Sequence, residues 1–216
     1  MKRFVISAML MVGFAVSVMA QTDAKARAIL AEVSKKYRSY DVIKTDFTFT
    51  LENPQAKLKD TQTGTLYAKA KSNKYKVVLK SQELISDGKN QWTYSKADRE
   101  VQLSEVDNSL NALNPAQIFT MYEKGFKYFY SGEKRVNNRS VHVIDLTPTD
   151  IKRSFFKVRL NIDKITKRIS NAVIFDKNGN RYTYLIRTFT PNVKIPESIF
   201  AFDAKKYPGV EVVDLR

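Results

Sequence analysis

No cysteine occurs in the 216 residues, so disulfide stapling, thiol chemistry, thiolate zinc sites and lipidation at a cysteine are excluded. Histidine is almost as scarce. The single copy, His142, rules out sites with several imidazole ligands, and in Val141-His142-Val143 strand alternation turns it away from both valines. Ser140 shares its face, but no nucleophile-elbow sequence surrounds that serine, so His142 reads as a structural residue. Only seven glycines are present, none in a phosphate-cradling pattern. Asp87, Asp145, Asp163 and Asp214 fall near expected strand ends, where carboxylates serve turns, and nothing sets two of them together as acid and base. These absences point to a binding protein with no catalytic centre, metal or cofactor.

A run long enough to span a membrane is also missing. The apolar stretch Phe4 to Val18 is shorter than the roughly 20 residues a transmembrane helix needs. It follows Lys2-Arg3 and leads to Val18-Met19-Ala20, the pattern of a signal peptide cut before Gln21. Residues 1–20 are thus expected to be removed on export to the periplasm. The remainder, 21–216, has the length of one domain and can bury a core without staples. Charge of one sign prevails: 37 Lys and Arg stand against 22 Asp and Glu, a net +15 that becomes +13 once Lys2 and Arg3 leave. Such a field attracts polyanions and anionic membrane surfaces.

Asp23 to Tyr40 has the spacing of an amphipathic helix, with Ala26, Ile29, Leu30, Val33 and Tyr37 on one face and Lys25, Arg27, Glu32, Lys35 and Lys36 opposite. From Lys44 the period changes to two. Phe47, Phe49 and Leu51 alternate with threonines; Leu66, Ala68 and Ala70 with Tyr67, Lys69 and Lys71; Tyr75, Val77 and Leu79 with Lys74, Lys76 and Lys80. Further strands are predicted at 91–94, 100–103, 126–130, 141–146, 156–162, 169–175 and 181–189. Asp87-Gly88, Ser131-Gly132, Asn137-Asn138 and Asn178-Gly179 supply the turns, the last a hairpin signal. A meander of about ten strands must curl on itself. One break interrupts it: Asn114-Pro115-Ala116-Gln117 carries N-cap, proline and capping-box signals for a short helix that presents Ile118, Phe119 and Tyr122 on one face and stops at Gly125.

Lys69, Lys71, Lys74, Lys76 and Lys80 would share one outer face, where they solvate the sheet or meet an anionic membrane or acidic partner. Nucleic acid is disfavoured by export and by the lack of aromatics among those lysines, Tyr67 excepted. Phe47, Phe49, Tyr75, Trp92, Tyr94, Phe119, Tyr122, Phe126, Tyr128 and Phe156 read equally well as solid core or as the lining of a cavity.

The sequence also resembles the LolA-type periplasmic carriers of outer-membrane lipoproteins. The matching pieces are Tyr37-Arg38-Ser39-Tyr40, Phe47-x-Phe49, Gly64-Thr65-Leu66-Tyr67-Ala68-Lys69, Ser86-Asp87-Gly88-Lys89 with Trp92 and Tyr94, Leu146-Thr147-Pro148, and Phe200-Ala201-Phe202 with the tail Pro208 to Asp214. Their order and spacing carry the likeness more than any one piece does. The resemblance implies a mainly β fold: an unclosed antiparallel barrel of about ten to eleven strands, covered by the N-terminal helix and a short lid helix. It implies that acylated lipoproteins, or another envelope lipid, place their chains among Phe47, Phe49, Leu51, Leu66, Tyr75, Val77, Leu79, Trp92, Tyr94, Ile118, Phe119, Tyr122, Phe126 and Phe156. It further implies a monomer that takes cargo from an inner-membrane exporter and hands it to an outer-membrane acceptor. The better-known members of the family have an arginine just after the lysine equivalent to Lys69, and that arginine tethers lid to barrel in the closed state; here Ala70 stands there. Either Lys69 or Lys71 replaces it as a point charge, or the lid is held by other residues.

Overall fold

The computed structural model describes residues 23–106 and 118–216. The expected signal peptide and the first residues of the expected lid helix lie outside them. Helix α1, residues 23–38, buries Ala26, Ile29, Leu30, Val33 and Tyr37 and leaves its charged face in solvent. Its last turn closes with Ser39 N–H and Tyr40 N–H donating to the Lys36 and Tyr37 carbonyls, and the β-branched pair Val42-Ile43 then starts the sheet.

Thirteen strands form that sheet: β1 (Val42–Asn53), β2 (Leu58–Lys69), β3 (Lys74–Leu79), β4 (Gln82–Asp87), β5 (Asn90–Ser95), β6 (Glu100–Glu105), β7 (Phe126–Val136), β8 (Arg139–Pro148), β9 (Phe155–Asp163), β10 (Ile169–Asp176), β11 (Arg181–Ile186), β12 (Thr190–Pro191) and β13 (Glu211–Asp214). Two meanders, β1 to β6 and β7 to β11, meet where β1 pairs antiparallel with β11. The chain's last strand, β13, lies parallel to β6 at one edge, and β7 is the other edge. Among the described residues the edges do not pair, so the sheet is an unclosed, mostly antiparallel barrel. One apolar cluster fills its concave side, drawing Ile43, Phe47, Leu66, Tyr75 and Val77 from the first meander and Ile144, Leu160, Ile162, Ala172, Ile174 and Tyr184 from the second. α1 sits in that concavity as the cover.

Several expectations need correction. Ser131-Gly132 is not a turn. β7 runs through it, and Gly132, at φ +107°, makes a bulge where the register with β8 shifts. Asp145 serves no turn either: from the middle of β8 it accepts both Arg159 Nε–H and an Arg159 Nη2–H at 2.7 Å. β4 was not predicted, because its adjacent apolar residues Leu84 and Ile85 break alternation; Leu84 packs on the core and Ile85 is buried on the other face. The described part of the expected lid helix, from Ile118 to Gly125, is short 3-10 structure with a turn at Met121–Glu123. Ile118, Phe119 and Tyr122 are nonetheless all buried, and Gly125 ends the segment at φ +77°.

Gly64 marks the tightest approach in the sheet. A Cβ there would lie 2.6 Å from a Leu79 methyl, 2.9 Å from the Phe47 ring and 2.9 Å from the backbone oxygen of Val78. The side chains can yield, but the carbonyl cannot move without β3. Gly64→Ala is therefore expected to destabilise the fold by about 1–3 kcal/mol, the usual cost of overpacking, measured as a lower urea midpoint at unchanged slope.

Candidate functional site

α1 lies on the concave face as a plug whose long axis is bordered by the segment 118–123. The two covers pack in one buried cluster, which holds Leu30, Val33 and Tyr37 of α1 with Ile118, Phe119 and Tyr122. Tyr37 stacks on Phe119 with ring centroids 5.1 Å apart, and Phe119 meets Phe189 edge-on at 6.1 Å. Ser34 Oγ donates to the Tyr122 hydroxyl at 3.1 Å, and the Tyr128 hydroxyl donates to the Tyr122 carbonyl at 2.8 Å. Burial pushes the Tyr37 and Tyr122 phenols far above their ordinary range, so both are neutral hydrogen-bonding groups at any physiological pH. At the rim, Arg38 and Glu123 form a two-pronged ion pair, with Arg38 Nε 3.3 Å from Glu123 Oε1 and an Nη2 to Oε2 contact beside it. The Arg38 side chain is 62% exposed.

This ion pair separates two cavities. One of about 490 Å³ is lined by Tyr37, Ala68, Ala70, Tyr75, Val106 and Thr120, with Lys69, Lys71 and Lys74 at its mouth. The other, of about 370 Å³, lies against Leu30, Ala31, Ser34, Tyr122 and Tyr128. Arg38 and Glu123 border both. Each volume falls in the usual range of small-ligand pockets.

Most of the residues expected to contact lipid come together in or against the buried cluster, and of them Tyr75 and Tyr122 border the two cavities. Phe47, Leu66, Tyr75, Val77, Ile118, Phe119, Tyr122 and Phe126 belong to the one cluster; Phe49 and Leu79 pack against it, and half-buried Leu51 follows them on the same face of β1. Three do not. Trp92 pairs across the sheet with Ile85 and stacks on Phe202 at 6.3 Å, while Tyr94 meets Tyr207 at 4.9 Å; both therefore lie on the convex side. The segment 195–207 returns from far along the chain to cover that side, so in β5 the aromatics face outward and Gln91 and Thr93 face inward. Phe156 is turned out by an irregularity in the β9–β10 register, which brings Phe155 inward against Phe126 instead.

The lysines are also placed differently. Lys69 and Lys74 share the Glu197 carboxylate at 2.8 and 2.7 Å, and Lys76 pairs with Glu83 at 2.9 Å. Among the described residues neither Lys69 nor Lys71 pairs with the 118–123 segment, whereas Arg38 of α1 does. Sequence reading missed this role because Arg38 sits on the polar side of α1 and its partner lies 85 positions away. It missed equally the floor of the second meander, Leu160, Ile162, Ala172 and Ile174, although alternation in β9 and β10 carried the signal.

His142 is buried beside Tyr130, whose hydroxyl is 3.1 Å from Nδ1, with Glu133 3.5 Å from the same nitrogen. Burial pulls its pKa below the ordinary value; Glu133 offsets part of this, and Lys164, Lys167 and Lys25 add to it. The unfolded chain then takes up the proton first. Stability is expected to be full above about pH 6.5 and to fall as pH drops from there through the lowered folded value. Urea midpoints between pH 7.5 and 5.5 should show this slope, and His142→Gln should flatten it.

Comparison with known proteins follows from this geometry. A family model described as "Outer membrane lipoprotein carrier protein LolA" matches residues 38–203. An outer-membrane lipoprotein carrier protein of Haemophilus influenzae is 26% identical over 189 residues, covering 86% of this chain and 87% of that protein. Among solved structures, an uncharacterized conserved protein from Thermus thermophilus superposes with a TM-score of 0.58 at 16% identity, over 88% of this chain and 99% of that one. A DUF1329 family protein from Desulfovibrio piger gives 0.52 at 11% identity, over 86% and 99%. These two likenesses establish a shared fold.

Proposed function

We propose a function from one premise: the chain belongs to the LolA family, the outer-membrane lipoprotein carrier proteins. The family is periplasmic and non-enzymatic. Within it, this chain shelters the acyl chains of a lipoprotein between the concave face of the sheet and α1, and carries them from an inner-membrane exporter to an outer-membrane acceptor. The observation that carries this reading is the cover. An apolar concave face runs across both meanders, and α1 and the 118–123 segment are packed over it, joined at their edge by the Tyr37–Phe119 stack, the Ser34–Tyr122 hydrogen bond and the Arg38–Glu123 ion pair, with a cavity on either side of that pair.

At about 0.8 kcal/mol per buried CH₂, a chain of roughly sixteen carbons represents about 12 kcal/mol of transfer from water. That gain is set against the cost of lifting the buried apolar face of α1, Ala26, Ile29, Leu30, Val33 and Tyr37, off the sheet, a surface that the acyl chain then covers in its place. In the closed form the apolar residues of α1 occupy the place of the acyl chain, so cover and cargo compete for the same surface. Release follows when an acceptor binds the chain more tightly than the closed form excludes it, with no nucleotide needed at this protein.

The test is mass spectrometry of organic extracts from protein purified without detergent, joined to titration with a triacylated lipopeptide. A bound acyl species at fixed stoichiometry, and saturable lipopeptide binding, are expected. An extract free of lipid, together with indifference to added lipopeptide, would overturn the reading.

A further inference from the structure

We propose that the β8–β9 loop, residues 149–154, and the adjoining β10–β11 hairpin form a tip that docks on an anionic phospholipid bilayer. Ile151 projects from this loop with 84% of its surface exposed. Next to it Phe156, turned outward by the β9 irregularity, is 50% exposed and lies 6.2 Å from Phe175. The two elements are joined: Lys177 N–H donates to the Ser154 carbonyl at 2.9 Å, and its ammonium donates to the Ile151 carbonyl. An aliphatic side chain and two aromatics therefore stand on a braced support.

Cations surround them. Lys157 lies 4.4 Å from the centre of the Phe175 ring and Arg181 5.9 Å from it, while Lys152 and Lys177 are exposed beside Ile151. Among the described residues none of these four takes part in an ion pair; Asp150, which accepts the Lys152 backbone N–H and keeps its charge, and Glu52, opposite Arg181 in the β1–β11 register, leave four cations against two carboxylates. The contrast with the opposite end of β9 decides the matter. There Ile165 is 91% exposed, but its basic neighbours are neutralised: Lys164 by Glu133 at 2.6 Å, Lys167 by Glu32 at 3.1 Å, and Arg139 faces Asp163 at 3.7 Å. Unpaired positive charge and exposed apolar side chains coincide at the 151 end.

A tip with projecting apolar groups ringed by cations suits a soft anionic interface, where apolar groups enter between headgroups and each basic residue adds about fivefold to partitioning. The position also suits the fold. Thr149 N–H donates to the Gly125 carbonyl at 3.0 Å, so docking would bring the exit of the 118–125 segment to the bilayer surface.

Since the chain has no cysteine, a single label reports unambiguously. Ile151→Cys and Ile165→Cys, each carrying an environment-sensitive NBD group, are titrated with vesicles of phosphatidylglycerol and phosphatidylethanolamine at low salt. The label at 151 is expected to shift to the blue and brighten, the label at 165 to stay as in water, and phosphatidylcholine vesicles to give no response. Adding Lys152→Glu and Lys157→Glu, which leave the Lys177 brace in place, should weaken partitioning at least tenfold, with the thermal transition unchanged. No shift at 151, an equal shift at 165, or a shift indifferent to the charge reversal would overturn the proposal. So would a response to an acidic polypeptide such as polyglutamate without one to vesicles, which would assign the tip to a protein partner. The label lies outside the concave face, so lipid taken up as cargo does not mimic docking, and failure here leaves the carrier reading standing.

Discussion

Tying the cover shut is expected to abolish lipopeptide uptake. Arg38 and Glu123 meet across the gap between α1 and the 118–123 segment, at the rim shared by both cavities. Arg38→Cys with Glu123→Cys, joined by a short bis-maleimide, replaces an ion pair that solvent can part with a covalent strap. The natural chain contributes no thiol, so the strap forms at that place alone. If acyl chains enter between α1 and the sheet, the strapped protein binds no lipopeptide while its thermal transition rises, because the strap also restricts the unfolded chain. A cleavable linker should restore binding once cut. The uncoupled double variant should bind as well as the natural protein or up to about fivefold better, since an exposed ion pair contributes little on its own. Undiminished uptake in the strapped form would mean that cargo enters by another route, and the proposed site would fall with it.

The fold was largely legible before the structure because its signals are local. Two-residue alternation marks Phe47-x-Phe49-x-Leu51 and Tyr75-x-Val77-x-Leu79 as strands wherever they pack, and Asn178-Gly179 makes a hairpin by its own backbone preference, with Gly179 at φ +83°. Which face of a strand looks inward is not a local property. In β5 the aromatics Trp92 and Tyr94 looked like core, and they are packed, but against Phe202 and Tyr207 on the convex side. No pattern within residues 90–95 reveals that a segment a hundred positions on will cover them. Phe156 failed for a smaller reason: one irregular residue exchanges it with Phe155, and alternation has no means of placing such a slip. The link between Arg38 and Glu123 was illegible because each is an ordinary charge on a polar face until the fold brings them together.

Phe119→Ala is expected to lower stability and raise apparent affinity at the same time. The ring is buried, stacked on Tyr37 of α1 and edge-on to Phe189. Truncating a buried phenylalanine costs about 3–5 kcal/mol when the whole fold must do without it. Part of that loss is confined to the cover, since the sheet beneath keeps its own contacts, so the global transition should fall by less. The remainder shifts the balance between closed and open covers. Apparent affinity is the intrinsic affinity reduced by the fraction of molecules that are open, so weakening the closed form by about 2 kcal/mol raises lipopeptide affinity up to roughly thirtyfold. Dissociation should be unchanged or slower, because closing no longer helps to expel the chain. Phe47, in the same cluster but on β1, provides the contrast: Phe47→Leu should lower stability without tightening binding, as it weakens floor and not cover. Urea unfolding and lipopeptide titration of both variants separate the two roles. Equal behaviour, with lower stability and no gain in affinity for either, would place Phe119 in the fixed core and remove the competition between cover and cargo on which release depends.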